Sequence, residues 1–110
     1  MAYDKDLANR LRECLQGEAG VTEKRMFGGL AFLVDGNLAV SASGKGGLMV
    51  RVDPARAESL LAETRVERAV MGGREMAGWL RVAPEVVRTS RQLARWVGLG
   101  VAYARTLPPK

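Results

Sequence analysis

The sequence predicts an α+β domain, an antiparallel β-sheet meander packed by an N-terminal helix, a middle helix and a long C-terminal helix. Three observations predict it. Helical apolar spacing occurs at both ends of the chain, at Leu7, Leu11 and Leu15 and again at Leu93, Trp96, Val97, Gly100, Ala104 and Leu107. Between them lie short apolar runs separated by Gly-rich turns of only a few residues, and turns that short join antiparallel neighbours. At 110 residues, 47% of them hydrophobic, the chain has the size and apolar content of one domain, residues 1–110.

Taken in order, Asp4 is placed to cap a first helix running to about Gln16, and Gly17 stops it. Val21 to Met26 reads as a strand, and Leu30 to Val34 is an apolar run of strand length. Asp35-Gly36-Asn37 is turn chemistry, because Gly and Asn tolerate positive φ. Leu38 to Ser43 alternates, Gly44-Lys45-Gly46-Gly47 turns the chain again, and Leu48 to Val52 alternates with Met49 and Arg51 on its second face. These segments make a meander of three or four strands. Asp53-Pro54 opens a middle helix ending near Glu63, with Asp as cap and Pro in the first turn. Val66 to Met71 carries no decisive pattern. Gly72-Gly73 is a turn, Trp79 to Val82 a last strand, and Pro84 starts a short helical turn. Ser90 is the expected cap of the final helix, which runs to about Thr106 before Pro108 and Pro109 end it. Trp79 and Trp96 are both expected in the core, given the area a Trp buries.

Charge is distributed unevenly. The net charge of +5 comes from the C-terminal part: residues 1–63 hold eight Lys/Arg against nine Asp/Glu, residues 64–110 nine against three, and eight of those nine are Arg. An Arg-rich surface suits an anionic partner, through the planar fork of the guanidinium. On the final helix, Arg88, Arg91 and Arg95 fall close together opposite the apolar face if the helical phase holds through Ser90, and Leu99 lands near them. This candidate interaction surface suits phosphates or an acidic protein surface, and a solvated helix face also accounts for it.

The usual catalytic chemistry is missing. There is no histidine, hence no imidazole base, no Ser-His or Cys-His dyad and no imidazole metal ligand. One cysteine, Cys14, excludes an internal disulfide and a cysteine-based zinc site. Cys14 lies beside the apolar face of the first helix and reads as a structural thiol. The Lys45 turn lacks the spacing of a phosphate loop. No catalytic residue, cofactor or metal is therefore assigned. The polar N-terminus and the lack of a long apolar run imply neither a signal peptide nor a membrane helix, and a cytoplasmic protein.

Several segments in one order carry a family resemblance. Arg25-Met26-Phe27-Gly28-Gly29-Leu30-Ala31-Phe32 resembles the opening motif of the N-terminal domain of TfoX/Sxy proteins. Asp35-Gly36 resembles its hairpin turn, and Leu48-Met49-Val50-Arg51-Val52 its next strand. Gly73-Arg74-Glu75-Met76-Ala77-Gly78-Trp79 is similar to its second motif, and Trp96, Ala102, Tyr103, Ala104 and Leu107-Pro108-Pro109-Lys110 to its end. The resemblance implies a stand-alone N-terminal domain of bacterial regulators of natural competence, which act as transcription co-activators beside the cyclic-AMP receptor protein. It brings no catalytic residues. The motif positions Met26, Phe27, Gly28, Gly29, Gly73, Arg74, Met76, Gly78 and Trp79 are read as structural.

The function expected is thus a non-enzymatic regulatory or adaptor module working by protein–protein contact, with a homodimer open. Two alternatives stand beside it. One is weak, direct nucleic-acid binding through Arg88, Arg91 and Arg95; the other is a small-ligand site at the Gly-Gly turns using Arg25, Arg51 or Arg74.

Overall fold

Asp4 begins the first helix as its composition predicts: its carboxylate accepts from the backbone N–H of Asp6 (2.9 Å) and Leu7 (3.2 Å). In a computed structural model, which describes residues 3–26, 28–71 and 73–110, this helix, α1, spans Lys5–Cys14. It is two residues shorter than expected, and Leu7, Ala8 and Leu11 form its buried face.

Four strands follow as a meander: β1 (Val21–Met26), β2 (Gly29–Val34), β3 (Asn37–Ala42) and β4 (Leu48–Arg51). The β2–β3 turn is a two-residue loop with Asp35 at φ 52° and Gly36 at φ 85°. Two consecutive positive φ values are what a type I′ hairpin requires. Asp35 rather than Asn37 takes the strained position, and Asn37 opens β3 instead. Its side-chain amide donates to the Pro108 carbonyl (3.0 Å), and the Lys110 N–H donates to Asp35 O (2.9 Å).

The second part of the chain differs from the expectation. Helix α2 (Pro54–Leu61), capped by Asp53 onto the Ala55 N–H (2.9 Å), leads into a full hairpin, β5 (Val66–Met71) and β6 (Arg74–Val82). Among the described residues the sheet therefore has six strands, in the order β1-β2-β3-β4-β6-β5 and antiparallel throughout. The expected meander is β1–β4 and the expected last strand, Trp79–Val82, is the end of β6; β5 and the start of β6 were not expected, because they are rich in charge. Glu67 and Arg68 lie in β5, Arg74 and Glu75 in β6, and an edge strand exposed to water does not need an apolar alternation.

Helix α3 (Ser90–Ala104) follows a 3₁₀ turn over Pro84–Val87. Its cap is Thr89, one residue before the expected Ser90. The Thr89 side chain accepts from the Gln92 N–H while the Gln92 side chain accepts from the Thr89 N–H (both 3.1 Å), a capping box. Leu93, Trp96, Val97, Gly100, Val101 and Ala104 are buried on its inner face. They meet Phe32, Val40, Leu48, Val50, Leu80 and Val82 in one continuous core. Among the described residues no helix is long and apolar enough to cross a membrane.

Candidate functional site

The predicted arginine stripe does not survive as a stripe. Arg88 precedes the cap Thr89 and lies outside α3, so the helical phase that aligned it with Arg91 and Arg95 is broken there. Its carbonyl accepts from Arg10 (3.1 Å), which also donates to Val87 O (2.8 Å) and ties α1 to the 3₁₀ turn. Arg88 and Arg91 are exposed, with no ion pair among the described residues. Arg95 is already engaged. It forks onto Glu63 at 2.9 and 2.5 Å, and its guanidinium lies 4.9 Å from the centre of the Trp96 ring. The hydrogen bond holds the Glu63 carboxyl below its ordinary value and raises that of Arg95. Leu99 is half-buried and packed on the core, not a stray exposed side chain.

What Leu99 does line is a groove of about 360 Å³ between α2 and α3. Val52, Leu60, Leu99, Ala102 and Tyr103 make its apolar floor; Asp53, Arg56 and Arg95 stand on its rim. The groove exists because α2 lies against β6 while α3 lies against β3 and β4. The Arg95–Glu63 pair ties α3 to the segment just after α2 at one end of it. Arg51, which closes β4 opposite Trp79 on β6, does not line the groove but stands against Tyr103, which does. Its guanidinium carbon lies 5.3 Å from the Trp79 ring centre and 5.6 Å from that of Tyr103, within cation–π range of both. Trp79 is half-buried and outside the contiguous core, which corrects its expected place; Trp96 is 1% exposed and fully in it.

Arg51, Trp79 and Tyr103 are a constellation that sequence reasoning missed. A charged residue inside the apolar strand Leu48–Val52 was the available signal. Its partners depended on the β4–β6 register, which no local pattern states.

The motif glycines act on the backbone. Gly28 has φ 75° in the β1–β2 turn, and a Cβ on Gly29 would stand 2.2 Å from the Ala42 carbonyl oxygen. Gly73 has φ 78° in the β5–β6 turn, which Arg74 leaves by pairing with Met71. Gly78 has φ 79°; its carbonyl accepts from the Val52 N–H (2.7 Å), and a Cβ there would lie 2.7 Å from Val52 O. Met26 and Met76 are half-buried. Phe27 and Gly72 lie outside the described residues. The ligand site imagined at the Gly-Gly turns is not assembled: Arg25 is on edge strand β1, Arg74 in the β5–β6 hairpin at the far side of the sheet, and Arg51 between Trp79 and Tyr103. Cys14 is half-buried against the core, and burial pushes its thiol up, with Arg10 pulling weakly the other way.

Set beside known proteins, the chain matches the TfoX N-terminal domain over residues 13–104, which takes in the groove except Thr106, the glycine turns and the six described strands. No curated protein and no solved structure matches it. A match over so much of the chain makes it a member of the TfoX N-terminal domain family.

Proposed function

We propose that this domain is a non-enzymatic regulatory or adaptor module of the TfoX/Sxy kind, acting in transcription regulation by holding a segment of a protein partner between α2 and α3. One observation carries the reading: Leu99, Ala102 and Tyr103 present accessible apolar surface between two helices, above buried Val52 and Leu60, and arginines edge it. Helix-lined apolar grooves with charged rims take short amphipathic segments of other chains. The absence of histidine, and a Cys14 thiol raised by burial, support a role without nucleophilic or acid–base catalysis. Direct binding of nucleic acid has weaker support. It rests on Arg88 and Arg91, since Arg95 is bound to Glu63, and among the described residues no recognised base-reading element is evident.

A photo-crosslinking amino acid at the exposed, groove-lining Ala102 tests the reading in cells. The expected product is a discrete protein conjugate that resists nuclease and disappears on Leu99→Arg. Conjugates to nucleic acid alone would replace this reading with the second. Absence of any conjugate at Ala102, with a full yield of folded protein, would remove the groove from the account.

A further inference from the structure

Arginines on this surface divide into two sorts. Arg12, Arg65, Arg68, Arg95 and Arg105 each hold a carboxylate of the same chain. Arg51 holds none among the described residues, yet it is the arginine whose position two aromatic rings fix. Ring contact occupies the face of a guanidinium and leaves its in-plane N–H donors unspent; that fork matches a carboxylate. Arg51 is also half-buried, so an ion pair there is less screened than one in open water. Arg56, on the groove rim in the first turn of α2, is exposed and likewise has no carboxylate partner among the described residues. Asp53 stands beside them, but its carboxylate caps α2 through the Ala55 N–H.

From this charge pattern we infer that Arg51, beside the α2–α3 groove against its lining residue Tyr103, determines the specificity of docking there, binding an Asp or Glu carboxylate that adjoins an apolar anchor in the partner's segment. The inference rests on the docking reading above and sharpens it. The apolar anchor sits over Leu99 and Tyr103, and the carboxylate accepts two N–H bonds from Arg51, with Arg56 adding charge at the rim. Rings that restrain Arg51 before binding reduce the side-chain entropy lost when the pair forms. A lysine in its place keeps the charge without the fork.

The probe is a random peptide library displayed on phage and selected on the full chain, with counter-selection on Leu99→Arg. Enriched peptides are expected to share an Asp or Glu next to a large apolar residue. For one such peptide, fluorescence anisotropy should show Arg51→Lys and Arg51→Ala each weakening binding by about tenfold or more, the scale of a lost charge-assisted bidentate pair. Replacing the peptide's carboxylate by its amide should cost as much on the parent protein and almost nothing on Arg51→Ala, the signature of a direct pair. Circular dichroism melts of both variants separate loss of the pair from loss of fold, and Arg51→Lys keeps the test valid if Arg51→Ala unfolds. Groove-dependent peptides that are neutral or basic would overturn the role of Arg51 and leave the docking reading standing. A library yielding nothing sensitive to Leu99→Arg would overturn both. A single-stranded oligonucleotide that displaces the peptide and loses binding on Arg51→Ala would overturn the carboxylate assignment in favour of phosphate.

Discussion

Gly98 and Gly100 stand two residues apart on α3 and do opposite things. Gly100 faces the sheet, where a Cβ would come within 2.5 Å of the Ala39 carbonyl oxygen and 3.0 Å of Val50. Gly98 faces outward between two grooves, and a Cβ there would meet nothing within 4 Å. One glycine is a condition of the fold: backbone meets backbone at Ala39, the extra residue of a bulge in β3 opposite Phe32 and Leu33. The other is an open position on a helix whose other outward residues include arginines. The comparison separates residues that hold α3 down from residues that remain available to a partner.

The largest break in that contrast comes from the inner face. Trp96 is 1% exposed in the middle of the core, and Trp96→Ala is expected to cost roughly 3–5 kcal/mol, the usual range for a buried aromatic. That loss is a large share of what holds a small domain together, and a urea melt will show a partly or wholly unfolded protein. Next, Gly100→Ala is expected to destabilise by about 1–3 kcal/mol, because the clash is with backbone that cannot rotate away. Gly98→Ala should have the opposite sign, a gain of about 0.5–1 kcal/mol from the lower entropy cost of Ala in an exposed helix. Equal signs for the two substitutions would mean that the two faces do not differ as described.

The smallest expected effect is at the Arg95–Glu63 pair. Both side chains are more than a third exposed, so Glu63→Gln is expected to cost no more than about 1 kcal/mol at neutral pH. Its pH dependence has a definite sign. The folded state holds the Glu63 carboxyl below its unfolded value. The contribution is therefore complete above the unfolded pKa of about 4.3 and fades as pH falls through the folded one. Melts of the parent and of Glu63→Gln, run from neutral pH down through the carboxylate range, should converge at the acid end.

How much of this was legible in the sequence follows the range of the interaction concerned. The caps at Asp4 and Asp53, the hairpin at Asp35-Gly36 and the inner face of α3 depend on residues a few positions apart, and local pattern predicts them. The β5–β6 hairpin was half hidden, because Glu67, Arg68, Arg74 and Glu75 give a charged surface no periodicity to reveal. The arginine stripe failed at one residue: the helix starts after Thr89, so Arg88 cannot be counted on its wheel. The groove was out of reach for a stronger reason. Arg51 meets Trp79 only through the pairing of β4 with β6, and Tyr103 only through the seat of α3.

That same pairing of β4 with β6 has a kinetic consequence. Strands β1 to β4 form by hairpin contacts between neighbours in the chain, and so does β5–β6. The two blocks join along a single line where Leu48 meets Val82 and Arg51 meets Trp79. Closing that line requires the intervening helix and hairpin to be in place, so it carries the loop-closure cost that local strands avoid. At its two ends Gly47 and Gly78, at φ 77° and 79°, let the crossing backbones approach with no side chain between them. The join is the expected late step of folding. Amides along it, Val52 N–H among them, should gain protection after those of the β2–β3 hairpin in pulse-labelled hydrogen exchange.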